Sequence, residues 1–315
     1  MLDTSLQLTS TSVVLAVCTD YDAALALTLA SVLEEFPLPE LHSARVLLKP
    51  NLISAGTPLA CTEGALLIEV ARWFVMQGAR VCVGDSPAFG TAAAALRRLG
   101  IDISLKALGV EICNFDRIDR VRLSSGQTAA LASDALDCDL LVNLPRIKAH
   151  AQTRITAAVK NCFGCLVGPR KAWWHMVYGG QGGNFSSLLL EILEHLPASI
   201  TVADGIQAMH VTGPVRGDHC SPGFLAAGEN PVAVDSALLQ VLGIEPRDCP
   251  LALEAIQQGV PGSDATDLVF PRLLPGEIRY DDFEIPQYLN PVRFSPFRFL
   301  RSFLKKAVLA ARPEP

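Results

Sequence analysis

Short, continuous apolar runs punctuate the first two thirds of the chain, at Val13–Val17, Val46–Lys49, Arg80–Gly84, Val110–Phe115, Leu140–Leu144 and Ile200–Ala203. Runs without polar alternation read as strands covered on both faces. Between them, apolar residues return at helical spacing over Ala23–Glu35, Glu63–Gln77, Thr91–Leu99, Thr153–Cys162 and Phe185–Leu196. Strand, turn and helix in repetition predict an α/β fold: a mainly parallel sheet with helices on both faces. A further strand is expected at Phe224–Ala227, followed by helices Val232–Leu242 and Leu251–Gly259, with Asn230-Pro231 as the start of the first. From Pro261 to Pro291 proline, glycine and acids dominate, which predicts an irregular covering segment before a basic, amphipathic terminal helix. The expected division is an α/β ligand-binding domain over residues 1–260 and a covering segment with a basic tail over 261–315.

Composition narrows the class. With 315 residues and 50% hydrophobic content the chain can bury a large core. Its apolar stretches are too short or interrupted to cross a bilayer, and its start lacks a basic region followed by an apolar core. A cytoplasmic location is the expectation. Nine scattered cysteines do not form a disulfide framework. A net charge of −6 argues against nucleic acid as a partner. The charge is uneven, because Arg293–Arg312 carries six Lys/Arg and no acid.

The candidate chemistry concentrates in NLPRIKAHAQTRITAAVKNCFGCLVGPRKAWWH, residues 143–175, which opens at the end of an expected strand. Lys148, Lys160, Lys171, His150, His175, Cys162 and Cys165 fall there with no acidic residue among them. A cationic pocket follows. In an open parallel sheet ligands bind outside the carboxyl ends of the strands, and those ends deliver Lys49-Pro50-Asn51, Gly84-Asp85-Ser86-Pro87, Asn143 with Lys148 beyond it, and Asp204-Gly205. Lysine, serine and asparagine at such a rim hold an anion, whereas Asp85 and Asp204 suit a metal or a proton. Asp or Asn before a helix also serves as a cap.

On an expected helix after Leu144, Thr153, Lys160 and Gly164 share one face, so that Thr153 and Lys160 would bracket a phosphate or carboxylate. Gly179–Asn184, a glycine-rich turn before Phe185, is a second anion-site candidate, with a flexible lid as its alternative. Cys162 and Cys165 have metal or redox spacing. No second CxxC accompanies them, and ordinary packing on one helix face is the stronger reading. His150 and His175 suit proton transfer or metal ligation.

Together KPN at Lys49–Asn51, GDSP at Gly84–Pro87, NLPRIKAHAQTRITAAVKNCFGC, Lys171 with His175, ADG at Ala203–Gly205, Gly213-Pro214 and NPVAVDSALLQVLG at Asn230–Gly243 resemble the family called domain of unknown function 362. The resemblance implies an α/β domain linked to iron–sulfur proteins, without an established reaction. Members commonly continue into a ferredoxin-like module after a segment similar to Phe294–Leu309. Two positions depart from the family: Cys162 replaces a usual apolar residue, and His210 an often acidic one.

The expectation is an enzyme that carries out a redox-linked transformation of an anionic, phosphate- or carboxylate-bearing small molecule, with electrons from a separate ferredoxin. The redox part comes from the resemblance. His150, His175 and Lys160 are the candidate catalytic residues. Lys49, Asn51, Ser86, Lys148, Thr153, Asn161, Gly164 and Lys171 are the candidate ligand-binding residues, and Asp85, Asp204, Asp235 and Cys165 a candidate divalent-metal set. No intrinsic iron–sulfur cluster is expected. The alternative is a non-catalytic carrier, sensor or assembly protein using the same cationic rim. The tail from Arg293 to Lys306 is expected to dock an acidic electron carrier rather than a bilayer.

Overall fold

The computed structural model describes residues 9–53, 56–87, 90–168, 170–179 and 184–289. Its strands are β1 (Val14–Val17), β2 (Arg45–Pro50), β3 (Arg80–Gly84), β4 (Glu111–Cys113), β5 (Ile118–Arg122), β6 (Thr128–Ala132), β7 (Leu140–Leu144), β8 (Arg146–His150), β9 (Arg154–Thr156), β10 (Ser199–His210), β11 (Asp218–Cys220) and β12 (Phe224–Gly228). The main sheet runs in the order β1-β12-β10-β7-β2-β3-β4. From β10 to β4 neighbouring strands are parallel, while β12 runs antiparallel to β10 and β1 antiparallel to β12. The α/β class with a mainly parallel sheet is therefore the observed one.

Alternate residues of β2 separate the two faces, as strand geometry requires. Val46 and Leu48 join an apolar cluster with Leu25 and Leu29 of helix Ala24–Leu33 and Leu66, Val70 and Phe74 of helix Gly64–Met76. Leu47, from the opposite face, packs with Leu141 and with Leu188 and Ile192 of helix Phe185–Leu193. A third cluster sets Leu15, Ala203 and Phe224 against helix Pro231–Val241. Between 261 and 289 the chain forms the short 3-10 turns Ala265–Asp267 and Pro275–Ile278 and a single β-bridge from Val269 to Ser12, and Phe283 there is buried in the third cluster. The expected terminal helix and basic tail lie outside the described residues.

Two expectations need correction, and both bear on the site. The segment expected as helix Thr153–Cys162 is split. β8 and β9 form a hairpin pairing Lys148 with Thr156 and His150 with Arg154, and the helix is confined to Ala158–Cys162. Thr153, Ile155 and Thr156 are β-branched and suit a strand, while Arg154 at φ 64° turns the hairpin. The strand expected to stop at Ala203 continues to His210. Asp204-Gly205 reads as a turn in sequence, but Gly205 is strand backbone pressed against Phe224, where a Cβ would come within 2.8 Å of the ring. The hairpin of β5 and β6 and helix Asp102–Ala107 were not anticipated from the pattern.

Candidate functional site

The parallel strands β2, β3 and β7 end at one rim. Lys49, last but one in β2, is wholly buried and donates to Asp85 Oδ1 at 2.9 Å and to the Pro50 carbonyl. Asp85, just beyond β3, also accepts from the amides of Leu52 and Ser86. Gly164 lies directly over this pair, where a Cβ would collide with both Lys49 Nζ and Asp85 Oδ1. Asn161 donates to the Lys49 carbonyl and to Asn143 Oδ1, and Asn143 donates to the Ala158 carbonyl and Thr201. These amides tie helix Ala158–Cys162 to the strand ends, a structural use of Asn161. Asn51 is buried beside them with its Oδ1 lacking a hydrogen-bond partner.

After Pro145 the chain resumes as β8 along the extension of β10. Arg146, Lys148 and His150 alternate with Ile147 and Ala149 and are all buried. Arg146 lies 3.6 Å from Asp204 and 3.3 Å from Glu63, and donates to the Tyr21 hydroxyl at 2.8 Å. Tyr21 in turn donates to Asp204 at 2.7 Å, and Arg146 also binds the Cys61 and Gln207 carbonyls. Burial alone would lower the Arg146 pKa, but Asp204, then Tyr21 and Glu63, outweigh it and hold the guanidinium above its ordinary value. Asp204 thus belongs to a neutralised network that also supports its own strand.

Lys148 has no such partner. Its Nζ donates to the Ala60 carbonyl at 2.6 Å, and burial pushes its pKa down to about 7, with Lys160 and Arg146 adding to the effect. The side chain of Lys160, in the middle of its short helix, makes no ion pair or hydrogen bond among the described residues. Its Nζ stands 5.7 Å from the Phe163 ring centre and 5.6 Å from that of Phe185. Burial first, then the Lys171 charge, brings its pKa to about 7. Lys171 Nζ donates to the Ser86 carbonyl at 2.6 Å and also stands 5.7 Å from the Phe163 ring.

The two histidines are stacked, 6.4 Å between ring centres, and are held in opposite tautomers. Burial, then Lys160, keeps both pKa values well below the usual histidine range, so both rings are neutral. His150 Nδ1 accepts from the amides of Gln152 and Thr153 at 3.1 and 3.3 Å. Its proton is therefore on Nε2. His175 Nδ1 lies 2.8 Å from Gln152 Oε1, and the Gln152 amide is oriented by its Nε2 donating to the His175 and Gly179 carbonyls. Oε1 must then accept, which puts the His175 proton on Nδ1 and leaves a lone pair on Nε2. One imidazole offers a proton and the other a base.

The expected metal set does not assemble. Asp85 is committed to Lys49 and Asp204 to Arg146 and Tyr21, while Asp235, on helix Pro231–Val241, accepts from the amides of Ala158 and Val159. Burial raises the Asp235 pKa to about 7. Cys165 packs with Cys162 in the apolar core, its thiol pushed up to about 11 by burial. Among the described residues no group of three or more His, Cys, Asp or Glu is placed to hold a metal ion. Thr153 is also corrected: off any helix, its hydroxyl donates to the Ile155 carbonyl, and it lines an apolar cleft with Val159, Asp235 and Cys249 away from the lysines. Of the glycine-rich turn at Gly179–Asn184, residues 180–183 lie outside the described residues. Arg146, Tyr21, Glu63 and Gln152 were not anticipated. A readable signal existed for Arg146, since Arg-x-Lys-x-His has strand period and puts three polar groups on one face.

Residues 46–240 match the family described as Domain of unknown function (DUF362). The chain belongs to that family. All the lysines, histidines and aspartates of the site fall within the matched span. The chain is 34% identical over 282 residues to the Thylakoid-associated protein sll1697 of Synechocystis sp., covering 86% of this chain and 85% of the relative. Among solved structures it is similar to the lactate racemase apoprotein from Thermoanaerobacterium thermosaccharolyticum, at 12% identity and a TM-score of 0.43 over 69% of this chain and 54% of that one. It is also similar to a Thermotoga maritima protein, at 13% identity and a TM-score of 0.39 over 57% of this chain and 50% of the other. The chain spans about half the length of each solved protein.

Proposed function

We propose that this chain is an enzyme that binds a phosphate- or carboxylate-bearing small molecule against Lys148, Lys160 and Lys171 and moves a proton at it through His150 and His175. The observation that carries the reading is an uncompensated cluster: Lys148 and Lys160 have no carboxylate within ion-pair distance among the described residues, beside imidazoles fixed as donor and acceptor. Burying ammonium groups together is costly, and an anion removes that cost. His175 Nε2 is the base and His150 Nε2–H the acid, an arrangement suited to taking a proton from one position and returning it at another. Lys49 and Asp85 brace the floor, and Asn51 Oδ1 is a further polar contact for the ligand.

The redox part of the reading, electrons from a separate ferredoxin, is supported by the family resemblance alone. A cytoplasmic location remains our reading. No helix among the described residues is long and apolar enough to cross a membrane, and the thylakoid association in the relative's name makes attachment to a membrane surface the competing location, tested by fractionation and liposome co-sedimentation. The central test is purification of the full chain without oxygen, native mass spectrometry to identify a retained small molecule, and assay of its conversion with and without a reduced ferredoxin. Turnover lost in His175→Gln supports the enzyme. A ligand retained through lysines but never converted makes the protein a carrier.

A further inference from the structure

Lys148 and Lys160 both lack an acidic partner within ion-pair distance among the described residues, but they are held differently. Lys148 is fully buried and anchored to a backbone carbonyl. Lys160 is partly exposed and its side chain has no hydrogen bond among the described residues; the faces of Phe163 and Phe185 flank its nitrogen. Such rings favour the ammonium form. Burial and the nearby Lys171 oppose that form and bring the pKa to about 7. A large share of Lys160 therefore carries a free lone pair at neutral pH, and unlike Lys148 it can be reached. His175 packs against both rings, edge-on to Phe163 at 5.1 Å and tilted to Phe185 at 4.8 Å, so an acceptor for a proton stands beside the amine.

We propose that Lys160 is a nucleophile that forms an imine with a small anionic aldehyde or keto acid bound at this site. The inference rests on the anion-binding reading above and adds to it a carbonyl group in the substrate. The Nζ lone pair attacks the carbonyl carbon, a C–N bond forms, and the carbonyl π pair becomes an alkoxide. The ammonium proton passes to His175 Nε2 and from there to the oxygen, towards which His150 Nε2–H donates a hydrogen bond, to give a carbinolamine. The nitrogen lone pair then expels the hydroxyl as hydroxide, with the same hydrogen bond supporting its departure. The iminium N–H proton passes through His175 to the hydroxide, giving water and the neutral imine with both imidazoles as they began. Nothing is oxidised or reduced, and Lys171 faces the carboxylate or phosphate.

The experiment incubates the full chain with pyruvate or glyoxylate and sodium cyanoborohydride, which reduces an imine to a stable amine, followed by intact mass and peptide mapping. In parallel, oxalate, an anion without an electrophilic carbonyl, is tested for raising Tm. The expected result is a single adduct on Lys160, suppressed by oxalate and absent from Lys160→Arg. Should that variant not fold, mapping of the wild-type adduct decides by itself. Oxalate raising Tm with no adduct, or with adducts scattered over lysines and insensitive to oxalate, overturns the imine while leaving the anion site standing. No adduct and no effect of oxalate removes both.

Discussion

Arg146 and Lys148 stand two residues apart on one face of β8, both fully buried, yet their surroundings are opposite. Around Arg146 the charges are matched: Asp204 and Glu63 face the guanidinium, and Tyr21 bridges it to Asp204. Around Lys148 and Lys160 the neighbours are a carbonyl, aromatic rings, imidazoles and other ammonium groups; the Cys61 thiol and Asp85, itself paired with Lys49, act on Lys148 in the opposite direction, and burial outweighs them. A matched buried network is complete without a ligand and its loss costs folding energy, whereas an unmatched one is strained until a counter-charge arrives. Burial alone does not distinguish structural from functional charges; local charge balance is the criterion on which our proposal rests.

The strongest way to break this comparison is to remove a charge from each half. Arg146→Met leaves Asp204 buried without its cation and should destabilise the protein by roughly 3–5 kcal/mol, read as a large fall in Tm or denaturation midpoint. Lys160→Met, which keeps the apolar stem, should leave the unliganded Tm unchanged or higher. Equal losses in the two variants would erase the distinction.

Asp235 supplies a third buried charge that we assign to structure, because both its oxygens accept from the amides that start helix Ala158–Cys162. Asp235→Ala strands two N–H groups and should cost roughly 2–4 kcal/mol, with Asp235→Asn recovering part of it. A Tm within a degree of wild type for Asp235→Ala, checked by thermal unfolding, would return this residue to the candidate metal ligands.

The strand and helix frame was largely legible in sequence because buried parallel strands are continuous apolar runs: Arg80–Gly84 and Leu140–Leu144 fall where the pattern puts them. The lysines and histidines were legible as an acid-free stretch. Which acids neutralise which cations was not, since Lys49 meets Asp85 across 36 positions and Tyr21 meets Asp204 across 183. Nor was the β8–β9 hairpin, where helix-compatible alanines and lysine follow β-branched residues closely and tertiary pairing decides. The tautomers depend on Gln152, whose importance lies in two backbone carbonyls that no sequence pattern marks.

On the ligand side, Lys160→Met should weaken the binding of a simple dianion such as sulfate by about 10- to 100-fold, the worth of one charge-assisted hydrogen bond. Isothermal titration calorimetry on wild type and variant measures it. Arg146 is no control here because its loss is expected to destabilise the fold. Lys106→Met, at an exposed lysine paired with Asp102, should change nothing.

The smallest expected effect is also the most direct sign of an unmatched cluster. Lys148 and Lys160 lose their protons in the folded protein near pH 7, whereas in the unfolded chain they retain them to about pH 10.4. Below pH 7 both states are protonated and the full penalty for burying ammonium groups is present. Between about pH 7 and 10.4 the unfolded chain binds more protons than the folded one, and these two groups make stability rise with pH. Asp235 works in the other direction: its folded pKa near 7 lies above that of an unfolded aspartate, so its contribution falls as pH rises towards 7. The two effects separate on anion binding, which stabilises ammonium groups and raises their pKa without involving Asp235. At pH 8 sulfate, which does not itself titrate there, should therefore bind with net proton uptake, and its affinity should fall with rising pH by at most about tenfold per unit for each proton taken up. Calorimetry in two buffers of different ionisation enthalpy gives the proton count. Uptake reduced in Lys160→Met places the proton on that lysine, whereas pH-independent binding without uptake would mean that the lysines are already charged and matched, and that the contrast with Arg146 does not hold.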